Sequence, residues 1–176
     1  MKTLKFIVLG LTLMACTTIV FISCKKDNES TSTLQIRLTD APTAFDEVNV
    51  DIREINVKFS DDTSGTNGWV SMPTNAGVYN LLGLQNGVDT LLASLVLPQQ
   101  TVKEIRFVLG PNNTIKDNGI VYPLVIPSGA QSGLKIKISK KLAATLETVL
   151  IDFDAALSVK KEGNGDYKLR PVLKIK

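Results

Sequence analysis

The sequence is a succession of short segments in which apolar and polar residues alternate, and each segment is closed by a turn signal. Leu34, Ile36 and Leu38 alternate with polar residues before Pro42 ends the first segment. Later segments are closed by Asn86-Gly87, Pro98, Gly110-Pro111 and Pro127. Segments spaced about 8–12 residues apart leave no room for long helices. The pattern therefore predicts an all-β fold, a single antiparallel β-sandwich of immunoglobulin-like or transthyretin-like type.

Two local patterns refine this prediction. Val48, Val50 and Ile52 alternate in one phase, whereas Ile55 and Val57 alternate one residue out of phase. A phase slip of one residue within a strand predicts a β-bulge. Residues 140–147, with the sequence KKLAATLE, are the helical candidate. A helix of this length is marginal without tertiary support, so the sandwich is expected to contain at most one short helix.

The first 23 residues have the composition of a secretory signal peptide. Lys2 and Lys5 precede an uncharged apolar run that ends at Ser23. The small residue followed by Cys24 resembles the lipobox of bacterial lipoproteins, which implies cleavage before Cys24 and acylation of its thiol with palmitate-type chains. Cys16 also follows a lipobox-like segment, but apolar residues continue after it, so Cys24 is the preferred lipidation site. An uncleaved N-terminal anchor is the remaining alternative.

Residues 24–33 form a polar segment without an apolar side chain after Cys24, and this composition predicts a disordered tether. The domain itself is expected to span residues 34–176. The charged start of the tether resembles lipoproteins of the Bacteroidota. That resemblance implies a cell-envelope location, with the protein lipid-anchored to the outer membrane and facing either the periplasm or the cell surface.

Two absences exclude whole classes of enzyme. The chain contains no histidine, and its two cysteines, Cys16 and Cys24, lie in the leader and at its cleavage site. Ser-His-Asp and Cys-His hydrolases, zinc hydrolases and thiol redox enzymes all require these side chains. The formal net charge of +3 is not the footprint of a nucleic-acid-binding protein. We therefore expect a protein that is not an enzyme and has neither a cofactor nor a nucleic-acid partner.

The carboxylates of one strand are the candidate site residues. Asp152 and Asp154 alternate on one strand, and Asp40 or Asp51 would complete an oxygen shell for a hard cation such as Ca²⁺. The same pair would also suit acid/base chemistry in a glycan-processing enzyme. The more common interpretation is a polar face, paired with Lys135, Lys137 or Arg170 on a neighbouring strand.

Basic and aromatic residues give two weaker patterns. Outward positions of three strands carry a set of cations that would form a basic stripe facing lipid phosphates or acidic glycans, or an ordinary solvated face. These cations are Lys135, Lys137, Lys168, Arg170, Lys174 and Lys176. Trp69, Tyr79 and Tyr122 would form a sugar-stacking platform, although such residues more often belong to the core. Residues 61–68 and 128–133 are most simply connecting loops.

Several segments together resemble a known family. They are Leu38-Thr39-Asp40-Ala41-Pro42, Ile105-Arg106, Pro127-Ser128-Gly129-Ala130-Gln131-Ser132-Gly133-Leu134-Lys135, Ile151-Asp152-Phe153-Asp154-Ala155 and Leu169-Arg170-Pro171-Val172. The chain resembles uncharacterised bacterial lipoprotein domains catalogued as domain of unknown function forty-three eighty-two. The resemblance implies a secreted or surface β-sandwich and transfers no functional residue.

The function expected from these patterns is a lipid-anchored, non-catalytic binding or structural module of the cell envelope. Its partners would be the membrane, through the N-terminal lipid, and a glycan or protein ligand. One alternative is the carboxylate-based glycan-processing enzyme that uses Asp152 and Asp154. Another is an adhesin-type subunit whose sandwich is completed by a strand from a partner.

Overall fold

The computed structural model describes residues 30–59, 68–127 and 133–176. The signal peptide, Cys24 and most of the two loops discussed above lie outside the described residues. Within these three ranges, no helix is both long enough and apolar enough to cross a bilayer.

The described residues form strands and two short helical segments. The strands are β1 (Thr31–Thr39), β2 (Glu47–Lys58), β3 (Trp69–Met72), β4 (Gly77–Asn80), β5 (Thr90–Pro98), β6 (Thr101–Leu109), β7 (Thr114–Asp117), β8 (Ile120–Val125), β9 (Leu134–Lys141), β10 (Leu146–Phe153), β11 (Val159–Lys161), β12 (Tyr167–Leu169) and β13 (Leu173–Ile175). The helical segments are a 3-10 turn at Leu81–Leu84 and the one-turn helix α1 at Ala155–Ser158.

Two sheets form the all-β sandwich, which confirms the predicted fold class. The smaller sheet has the order β13-β10-β1-β5, and the larger one contains the other nine strands. Two pairs correct the prediction of purely antiparallel pairing, because β1 is parallel to β10 and β12 is parallel to β8. Alternation along a strand reports which face is buried and carries no information about the direction of a distant partner.

The larger sheet is built around β2, which has two shorter strands lying end to end along each of its sides. β3 pairs with the second half of β2 and β4 with the first half, so these two strands lie end to end along one side. β6 and β7 lie end to end along the other side. β9 and β8 extend the sheet beyond β6 and β7, respectively.

The β-bulge predicted in β2 is confirmed. Ile52 lies opposite Leu109 and Glu54 opposite Val108, so Arg53 is the extra residue. The bulge lets the two out-of-phase halves of β2 point their apolar side chains to the same interior. The buried apolar residues of β2 are Val48, Val50, Ile52, Ile55 and Val57.

The core lies between the two sheets. Leu34, Ile36 and Leu38 of β1 are fully buried, as are Ile105 and Phe107 of β6. Each large apolar side chain removed from water in this way stabilises the fold by about 1.5–3 kcal/mol.

The helix predicted at residues 140–147 is wrong, because this segment forms the corner between β9 and β10. Leu142 is buried, and its amide N–H donates to the carbonyl of Gln100 at 2.9 Å. The Lys140 ammonium lies 2.8 Å from the Glu147 carboxylate across the corner. The contacts of Leu142 and of the Lys140–Glu147 ion pair stabilise the corner more than a weak local helix propensity would stabilise a helix.

The domain begins earlier than predicted. β1 starts at Thr31, three residues before Leu34, so the last part of the predicted tether is strand. Thr31 pairs with Pro98, and Ser32 is buried. Composition did not predict this extension, because Ser and Thr occur in strands as well as in linkers.

Candidate functional site

The parallel pairing of β1 with β10 brings the predicted carboxylates together. Parallel strands end at the same edge of a sheet, and Thr39 lies opposite Asp152 in the register. Asp40 follows β1 directly, and Asp154 follows β10. All three aspartates are buried, so the residues singled out from the sequence form one carboxylate cluster, Asp40, Asp152 and Asp154.

Two of these carboxylates have an ammonium partner from the C-terminal residues. The Asp154 carboxylate lies 2.8 Å from Lys174 Nζ and accepts the Leu157 amide at 3.0 Å. Burial by itself would raise the pKa of Asp154, but the Lys174 and Leu157 hydrogen bonds outweigh it and hold that pKa below its ordinary value. Asp152 lies 3.1 Å from Lys176 Nζ.

Asp40 holds the end of β1 against the start of α1. One carboxylate oxygen accepts the Ala155 amide at 2.9 Å, and the other accepts Gln85 Nε2 at 3.3 Å. Burial raises the pKa of Asp40; the hydrogen bonds oppose this shift, and the negative charge of Asp152 adds to it. These contacts make Asp40 a link between elements.

Two of the three carboxylates in the cluster, Asp152 and Asp154, form ion pairs. Among residues 30–59, 68–127 and 133–176, no group of three His, Cys, Asp or Glu side chains is arranged to hold a metal ion. The pairing partners are Lys174 and Lys176, whereas the sequence suggested Lys135, Lys137 or Arg170. Asp51 lies in the other sheet and pairs with Arg53 at 2.7 Å. A calcium site at these carboxylates stays a prediction.

The six predicted cations of the basic stripe lie in three places. Lys174 and Lys176 pair with the carboxylate cluster. Lys168 and Arg170 lie 3.3 and 3.6 Å from Glu162. Lys135 and Lys137 alternate with the inward-facing Leu134 and Ile136 and lie on the outer face of β9.

Strand register places a second group of charged side chains around Trp69. Across β3, β2, β6 and β9, one outer row contains Trp69, Lys58, Glu104 and Lys137, and the next contains Ser71, Asn56, Arg106 and Lys135. We call these eight residues the cationic face. Four of these eight residues are cations and one, Glu104, is a carboxylate; Lys58 and Asn56 are buried, and Lys135 and Lys137 are exposed.

The indole ring of Trp69 is the centre of the cationic face. The Arg106 guanidinium carbon lies 4.4 Å from the ring centroid, and the Lys58 and Lys135 ammonium groups lie at 5.8 and 5.9 Å. Arg106 Nε and Asn56 Nδ2 are buried donors for which the described residues supply no acceptor. The excess of cations among the eight residues makes this face suited to an anion.

The three predicted aromatic residues do not form a platform. Trp69 faces outward, whereas Tyr79 lies opposite Val50 and Tyr122 opposite Ile115, and both tyrosines pack against the core. Arg106 and Lys58 were missed as site residues. Alternation along β6 and β2 places each on an outer face, but only the pairing of distant strands brings them to Trp69.

The described residues thus define an all-β sandwich domain with a buried carboxylate cluster and a partly exposed cationic face. The chain belongs to the family described as Domain of unknown function (DUF4382), whose model matches residues 31–171. No curated protein and no solved structure gave a significant match.

Proposed function

We propose that the protein is a lipoprotein of the outer membrane, anchored through acylated Cys24, whose sandwich binds an anionic glycan without catalysis. The observation that carries this proposal is the cationic face, where three cations lie within 6 Å of one indole ring. A charged surface of this kind raises the local concentration of anionic ligands.

The position of Arg106 indicates which chemistry the ligand offers. Its guanidinium occupies one side of the Trp69 ring at 4.4 Å, so a sugar ring would have to displace it to stack there. Charge is therefore the better basis for recognition. A guanidinium binds carboxylate, sulfate or phosphate groups through paired hydrogen bonds.

The ion pairs of Asp152 and Asp154 argue against these two residues as the acid and base of a glycosidase. A glycosidase needs one carboxyl group that stays protonated and a second that attacks or activates water. Asp154 has a lowered pKa, and both Asp152 and Asp154 are held by ammonium groups from Lys176 and Lys174. A general acid at Asp154 would need the opposite shift of its pKa.

Binding of polygalacturonate to the full-length protein in detergent, measured by calorimetry with neutral dextran as the reference, tests this proposal. Arg106→Gln should weaken binding about tenfold or more, because a charge-assisted hydrogen bond contributes about 1.5–3 kcal/mol. Lys160→Gln, on an exposed position of β11, is the matched control. Equal binding of dextran, or unchanged affinity in Arg106→Gln, would contradict the proposal.

A further inference from the structure

The end of the sandwich at which the chain enters β1 has an apolar surface. On the outer side of the smaller sheet, Thr33 lies between Val96 of β5 and Leu146 of β10. Val96 is 61% exposed and Leu146 is 53% exposed. Pro98, also exposed, lies opposite Thr31. We call Val96, Pro98 and Leu146 the entry patch.

The entry patch is confined to that end of the sheet. One row further along β1, the outer positions are polar, because Gln35 lies between Ser94 and Thr148. Single exposed apolar residues are common on protein surfaces, whereas these three lie together at one end of the sheet.

Cations flank the entry patch. Lys141 is exposed at the end of β9, next to Thr101 at the start of β6. Lys140 and Glu147 form their ion pair on the same corner, one residue from Leu146. In the sequence, Lys25 and Lys26 directly follow Cys24. Apolar side chains with a lysine such as Lys141 beside them match the chemistry of a bilayer surface that carries anionic headgroups.

The length of the tether limits where this end of the domain can lie. Six residues, 25–30, separate Cys24 from the first residue of β1. Such a segment spans about 20 Å when fully extended, and its root-mean-square length as a flexible chain is about 12–15 Å. Acyl chains on Cys24 would therefore keep the entry patch within reach of the headgroups.

A second exposed apolar group lies at the other end of the larger sheet. Val121 and Val125 of β8 are exposed on its outer side. β8 pairs with β7, and β7 lies beside the first residues of β2. The last residue of β2, Lys58, lies opposite Glu104, near the start of β6. β6 begins three residues after Pro98, so the entry patch lies at the end of β2 that is remote from β8. The short tether favours the entry patch over this second group.

We propose that the entry patch rests on the bilayer surface, so that the sandwich stands with the start of β1 towards the membrane and the carboxylate cluster at the far end. This inference rests on the lipid anchor of the proposed function. It adds an orientation and three contacting residues, Val96, Pro98 and Leu146, and it assigns anionic phospholipid headgroups as their partner.

Fluorescence quenching in the full-length protein tests the orientation. In a Trp69→Phe background, single tryptophans are introduced as Val96→Trp and Leu146→Trp, with Val121→Trp and Val78→Trp as controls at other exposed valines. Each variant is reconstituted into phosphatidylethanolamine–phosphatidylglycerol vesicles whose acyl chains carry bromine. Emission should be lost for the first two variants and retained for the controls, and thermal unfolding verifies that each variant is folded.

Labelling with a palmitate analogue separates the two proposals. Labelling that disappears in Cys24→Ala supports the anchor, and labelling that persists in this variant overturns both the anchor and the orientation. If Cys24 is acylated but Val121→Trp is quenched more strongly than Val96→Trp, the orientation is wrong while the anchor stands. Absence of quenching at all four positions in the acylated protein also overturns the orientation.

Discussion

At the scale of the residue, Gly110 and Asn113 maintain the hydrogen bonding of β2 where its neighbouring strand is interrupted. It lies in the break between β6 and β7, where its N–H donates to the Asp51 carbonyl at 2.8 Å. Asn113 bridges the same break, because its amide oxygen accepts the Asp51 N–H at 2.9 Å and its amide nitrogen donates to the Gly110 carbonyl at 2.7 Å. Asp51 is fully buried, and its carboxylate pairs with Arg53.

We predict that Gly110→Ala is destabilising. A Cβ at this position would lie 2.2 Å from Asp51 Oδ2 and 2.5 Å from Arg53 Nε, so the buried ion pair would have to move. The expected loss is about 1–3 kcal/mol of unfolding free energy, measured by urea denaturation. Gly83→Ala is the control, because a Cβ there meets no atom within 4 Å. Equal stability of the two variants would contradict the packing argument.

The sequence predicted which carboxylates lie together, because their position at the ends of strands could be read from the local pattern. Asp40, Asp152 and Asp154 were selected together and do lie together, because all three follow or end strands that share an edge. The sequence did not indicate their lysine partners, since Lys174 reaches Asp154 through the pairing of β13 with β10. Register between distant strands depends on tertiary packing that no local pattern encodes.

At the scale of the element, the corner between β9 and β10 depends on Glu147. Its carboxylate receives a hydrogen bond from Lys140 and accepts the amides of Ala144 and Ala143, and these contacts lower its pKa from 4.5 to about 2. Since the folded pKa lies below the unfolded value, the resulting stabilisation is present above pH 4.5 and is lost as the pH falls towards 2.

We therefore expect Glu147→Gln to reduce the acid sensitivity of the fold. The wild-type melting temperature should fall between pH 4.5 and pH 2 by more than that of the variant. Thermal unfolding followed by circular dichroism across this range measures the difference. Lys140→Met, which removes the largest cause of the shift, should have an intermediate effect. Parallel pH profiles for the wild type and Glu147→Gln would show that the corner contacts do not stabilise the fold.

Strands and helices could be predicted where the alternation of apolar and polar residues is strong, and the prediction was wrong where the segment is short. The phase slip between Ile52 and Ile55 predicted a bulge, and the strand register places it at Arg53. Residues 140–147 have good helix formers but form a corner, because Leu142 is buried. Eight residues of favourable propensity contribute less than the tertiary contacts of a corner.

At the scale of the whole molecule, the last strand completes the fold beyond the family match. That match ends at Pro171, whereas β13 spans Leu173–Ile175 and pairs with β10. The same segment supplies Lys174 and Lys176 to two buried aspartates. The structural unit therefore extends past the boundary that sequence similarity detects.

We predict that a fragment of residues 30–171 is much less stable than one of residues 30–176. Removing the two lysines leaves two buried carboxylates without their ammonium partners, at a cost of roughly 2–3 kcal/mol. This is below the cost for a fully buried pair, because both lysines are half exposed and the Leu157 amide still donates to Asp154. Differential scanning fluorimetry measures the loss. The Lys174→Met/Lys176→Met variant of the longer fragment separates the charges from the strand. Identical melting temperatures of the two fragments would refute a structural role for β13.

The parallel pair β1–β10 also determines when the molecule can fold. Thr33 meets Leu146 more than a hundred residues later in the chain, so the first strand has neighbours on both sides only after almost the whole polypeptide has been synthesised. Pairings with such large sequence separation close slowly, because the entropy of the intervening chain is lost before their contacts form. A nascent chain of this protein therefore cannot complete the smaller sheet until β10 has emerged.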